Sequence, residues 1–75
     1  MKSGDFLVVE GIEVRLWSRA PHTIAGHLYD PWWVVRAGPN GRQEMWAIGK
    51  ERRHGRFTRN WRFVGRFTWQ GERVS

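Results

Sequence analysis

Cysteine is absent from these 75 residues, so no disulfide can staple the chain and no thiolate is available as nucleophile or metal ligand. Long hydrophobic runs are missing too: no stretch approaches the roughly 20 apolar residues of a membrane span. The start, Met1-Lys2-Ser3-Gly4-Asp5, leads straight into a short apolar segment, with neither the h-region nor the small-residue cleavage site of a secretory leader. A cytoplasmic location is therefore the expectation, without a membrane partner, and the compactness fits a bacterial or phage protein.

Catalytic constellations are also lacking. The acidic residues are scattered singly, nothing resembles a Ser-His-Asp set, and the 9 glycines form no phosphate-cradling loop. His22 and His27 share a segment with Asp30, but the spacing matches no zinc pattern and no cysteine supplements it. Neither an enzyme, nor a cofactor, nor a metal site is expected.

What is present is aromatic mass and positive charge. A chain of 75 residues makes one domain, residues 1–75, and buries only roughly 60% of the surface it exposes when unfolded. Six Trp, four Phe and one Tyr can supply the core that disulfides do not, each burying about 150 to 250 Å². Homodimer formation is the competing solution, because one small core has little room for six indoles.

The net charge of +6 is unevenly placed. Residues 1–37 are neutral in sum, whereas Lys50, Arg52, Arg53, Arg56, Arg59, Arg62 and Arg66 face only Glu51. Seven cations against one anion account for the whole excess. Such asymmetry points to an acidic partner, nucleic acid first and an acidic protein surface second; the plainer reading is a solvated face.

Turn signals divide the chain into short strands. Residues 6–17 alternate on either side of Glu10-Gly11 and predict a hairpin. Residues 18–31, with Pro21, Gly26 and Pro31, predict a loop holding a short strand at Thr23 to Tyr29. In Gly38-Pro39-Asn40-Gly41, Pro39 and Asn40 suit the centre of a type I turn and Gly41 the left-handed bulge that follows. That turn sets Arg36 opposite Glu44, Val34 opposite Trp46 and Trp32 opposite Ile48. A rival helix over 42–53 has capping-box spacing and good helix formers, but Gly49 costs a helix interior roughly 1 kcal/mol.

From Phe57 to Trp69 the odd positions are mostly aromatic and the even ones polar, with Arg59 and Val64 the exceptions. One long strand, or two bent at Gly65, would bury Phe57, Trp61, Phe63, Phe67 and Trp69 and turn Arg62 and Arg66 outward. The fold expected is all-β: a small antiparallel β-barrel or strongly bent sheet of about five strands, SH3-like or OB-like in strand lengths and turns, with α+β as the alternative if 42–53 is helical.

The functional expectation is a nucleic-acid-binding module. Lys50, Arg52, Arg53, His54 and Arg56 would form an exposed loop, and Arg62 and Arg66, about 13 Å apart on one strand face, would follow a phosphate backbone. Trp17 and Trp33, each on the less buried side of its strand, are the candidates for stacking on unpaired bases. A protein-interaction module or small inhibitor docking an Arg/Trp patch on an acidic protein is the alternative. Carbohydrate binding through exposed Trp is a third option, though sugars need no such charge.

Overall fold

A computed structural model describes the backbone of residues 1–53 and 56–74 and the side chains of 1–52 and 60–74. Five strands, β1 (Phe6–Val9), β2 (Ile12–Arg19), β3 (Tyr29–Ala37), β4 (Gln43–Arg53) and β5 (Arg56–Phe67), form one antiparallel sheet in the order β1-β2-β3-β4-β5. Every strand thus pairs with its neighbours in sequence, and the curled half-barrel is a meander rather than the Greek-key path of an OB barrel.

The β1–β2 hairpin closes where expected. Glu10 and Gly11 both have positive φ, 51° and 80°, as a two-residue type I′ turn requires, and Val9 pairs with Ile12. The β3–β4 turn also takes its expected form: Gly41 sits at φ 79°, and the Gly41 N–H donates to the Gly38 carbonyl at 3.0 Å. Asn40 Oδ1 accepts from the Arg42 N–H at 3.2 Å. The resulting register pairs Arg36 with Glu44, Val34 with Trp46 and Trp32 with Ile48. The rival helix over 42–53 is excluded, because the whole of Gln43–Arg53 is strand. Gly49 is required for another reason: a β-carbon there would stand 2.7 Å from Leu28 Cβ.

Other expectations are corrected. The segment 18–31 holds no strand at Thr23 to Tyr29; a 3-10 turn spans His22–Ile24 and β3 begins only at Tyr29. Asp30, at φ 54°, and Pro31 bulge out of the β3–β4 ladder between the Tyr29 and Trp32 pairings, and the Asp30 carboxylate is ion-paired with Arg19. Lys50, Arg52, Arg53 and Arg56 lie on strands β4 and β5, not in a loop.

The largest correction concerns β5. Ala47 pairs with Gly65 and Ile48 with Phe63, so Val64 is an extra residue, a bulge that shifts the alternation by one. Trp61 and Phe63 therefore pack on the inner cluster of Val9, Val14, Leu16, Trp32, Val34 and Ile48. Phe67 is buried on the opposite face with Met45 and Ala47, and the half-buried Val64 packs against them. The strand ends at Phe67, and the chain turns over Thr68–Gly71, where the Gly71 N–H donates to the Thr68 carbonyl at 2.9 Å. Trp69 at that turn is 50% exposed rather than buried. The Phe57 side chain lies outside the described residues.

The sheet curls until β1 meets β5. Glu10, from the β1–β2 turn, spans the seam: its Oε2 accepts the Phe63 backbone N–H at 2.8 Å. Among the described residues, no helix is long and apolar enough to cross a membrane.

Candidate nucleic-acid interface

Where β3 stops, β4 and β5 continue. The last β3–β4 pairing is Tyr29 with Lys50, while β4 and β5 pair onward through Arg52 with Phe57 and Arg53 with Arg56. The ribbon beyond Lys50 is two-stranded and reaches about 10 Å past that pairing, at 3.3 to 3.4 Å per residue. The molecule is correspondingly elongated, 38 × 22 × 21 Å. Arg52, Arg53, Arg56 and Arg59 lie along this arm against the single carboxylate Glu51.

The expected site residues separate into three groups. Arg52 is exposed; its Nη1 donates to the Tyr29 hydroxyl at 3.1 Å, and its guanidinium carbon lies 5.3 Å from the Tyr29 ring centre. Arg53 and Arg56 face each other in the ladder, their side chains lying outside the described residues, as does the whole of His54. Lys50 marks the root of the arm, its ammonium 5.2 Å from the Trp61 ring centre, where the stem covers the core edge while the charge reaches solvent.

Arg62 and Arg66 form the second group, and the structure separates them. Arg62 stands opposite Gly49 and Arg66 opposite Trp46; these β4 positions are three apart, so the two arginines point to opposite faces. The bulge at Val64 is the cause. Each is also held by carboxylates: Arg62 Nε lies 3.4 Å from Glu51 Oε2 and Nη1 3.7 Å from Glu10 Oε1, and Arg66 Nη1 donates to Glu44 Oε2 at 3.0 Å. They cannot follow one phosphate backbone together. Sequence reasoning missed these counter-charges because Glu10, Glu44 and Glu51 come from other strands and turns.

Trp17 and Trp33 are the third group. Leu16 pairs with Val34 and Ser18 with Trp33, which leaves Trp17 as a bulged residue of β2, its indole 51% exposed on the outer face. Trp33 is half-buried there, edge-on to Phe67 with ring centres 5.0 Å apart. Both lie on the sheet and not on the arm.

Glu44 gathers the charges at the opposite end of the ribbon. The Trp46 indole N–H donates to its Oε1 at 3.0 Å and is the largest influence holding its carboxyl below the ordinary 4.5; the Arg66 and Arg36 guanidinium groups add to this, and partial burial opposes it. A carboxyl depressed on folding contributes stability above its unfolded pKa and loses it as pH falls through the folded value. Urea denaturation should therefore show wild type more stable than Glu44→Gln near neutrality, with the difference shrinking as pH drops below about 4.5.

Among the described residues no group of three His, Asp or Glu side chains is placed to hold a metal ion. Comparison with protein-family models, with curated proteins and with solved structures gives no match.

Proposed function

We propose that this domain binds nucleic acid through the β4–β5 arm. One observation carries the proposal: the cations Arg52, Arg53, Arg56 and Arg59 ride on a ribbon that leaves the sheet where β3 ends. A two-stranded β-ribbon has the width that the major groove of a duplex admits. Lys50 at its root adds a fifth positive charge. Arg62 and Arg66, neutralised by glutamates, contribute to the fold instead. In this proposal the protein is a cytoplasmic, non-catalytic module.

The test is a binding series with short duplex DNA, duplex RNA and single-stranded DNA at several salt concentrations. About four phosphate contacts give a slope of log K against log salt near −3.6 for duplex DNA, at roughly −0.9 per contact. Arg66→Ala should leave that slope unchanged. Absence of binding at low salt would overturn the proposal. Equal competition by polyglutamate would instead move the arm's partner to an acidic protein.

A further inference from the structure

The dimensions of the arm and the register of its charges narrow the nucleic acid it takes. Arg53 and Arg56 are ladder partners, and like charges directly opposite each other destabilise a strand pair. A bound anion removes that cost. One step toward the sheet Arg52 is paired with Phe57, and the next pairing is Lys50 with Trp61. Glu51 alone therefore stands against residues 58–60, a bulge that carries Arg59 near the root of the arm. The cations are thus shared out evenly, Arg52 and Arg53 on β4 and Arg56 and Arg59 on β5.

Two cations on each strand suit a ligand with two anionic walls. The major groove of B-form DNA has that shape: it is about 12 Å wide and 8.5 Å deep, with phosphates along both sides. The two backbones of a ribbon lie about 4.8 Å apart, which leaves room for side chains toward each wall. The reach of about 10 Å beyond the Lys50 pairing matches the depth of the groove.

Other nucleic acids fit less well. The minor groove of B-form DNA, about 6 Å wide, hardly clears the two backbones before any side chain is added. A-form RNA has a major groove too narrow for side chains and a minor groove too shallow to take the arm. An unpaired strand has a single backbone, and its bases need stacking platforms. The rings at the root of the arm, Tyr29 and Trp61, already carry the Arg52 and Lys50 cations. We infer that the ligand of the arm is duplex DNA in the B form, with the ribbon seated in the major groove. The inference rests on the reading of the arm as a nucleic-acid-binding element and adds to it the class of nucleic acid and the groove.

The experiment compares, with the full chain at one salt concentration, a short DNA duplex of mixed sequence, the RNA duplex of the same sequence and a thymidine oligonucleotide. Dimethyl sulfate footprinting of the DNA complex reports the groove, since the reagent methylates guanine N7 on the major-groove side and adenine N3 on the minor-groove side. Binding to the DNA duplex at least about tenfold tighter than to either other probe is expected, with protection at guanine N7 and none at adenine N3. Arg56→Glu, which converts the Arg53 ladder pair into one of opposite charge, should remove that protection and leave the sheet folded by circular dichroism. Equal binding of the RNA duplex or the oligonucleotide, or protection at adenine N3 instead, overturns the inference while the arm remains a nucleic-acid-binding element. Absence of binding to all three probes at low salt overturns both, and so does guanine N7 protection that survives Arg56→Glu.

Discussion

Truncating Trp61 to alanine is expected to cost about 3 to 5 kcal/mol in urea denaturation, the range for emptying a buried aromatic site. Trp61 is 8% exposed and packs on the inner cluster, and its ring also carries the Lys50 ammonium. A domain of this length holds only about 4 to 11 kcal/mol in total, at 0.05 to 0.15 per residue. The variant should therefore lie close to its unfolding midpoint already in buffer. Trp69→Ala serves as the contrast. Its indole is half in water at a turn, and the loss should be a small fraction of that for Trp61. Equal stability of wild type and Trp61→Ala would show that the inner cluster does not hold the sheet together.

Replacing Arg52, Arg53 and Arg56 together by alanine should bring the duplex salt slope from near −3.6 to about −1, three contacts fewer at roughly −0.9 each. The decrease should be similar for all sequences, because phosphate contacts position a protein without reading bases. Circular dichroism should show the sheet intact, since the arm lies beyond the β3 pairing and contributes no member of the inner cluster. An unchanged slope would place the contacts elsewhere on the molecule.

The parts of this fold that were legible in the sequence are those fixed by local backbone chemistry. Pro39-Asn40-Gly41 permits one register, and the Arg36–Glu44 pairing followed from it. Glu10-Gly11 behaved likewise. In β5 the alternation looked continuous, but side-chain phase is not locally determined once a bulge is allowed. Val64, an apolar residue among polar even positions, was the visible mark of that bulge. Missing it placed Phe67 on the wrong face, and Arg62 and Arg66 on a common one. Trp69 was misplaced for a different reason: the alternation ran on past Phe67, where Thr68–Gly71 reverse the chain. Trp17 stood out as a stacking candidate because its neighbours Glu13 and Arg15 mark the polar side of β2, and its 51% exposure could be settled only by the bulge that sets its phase.

The neighbour-to-neighbour strand order also governs how the chain reaches this state. Each strand can pair with the one made just before it, so most of the sheet forms by closing short loops, whose entropic cost is low. The seam of β1 with β5 is different, since Glu10 and Phe63 come from opposite ends of the sequence. The domain should zip hairpin by hairpin and join that seam last. A substitution at Glu10 would then act on the unfolding rate and leave the folding rate nearly unchanged.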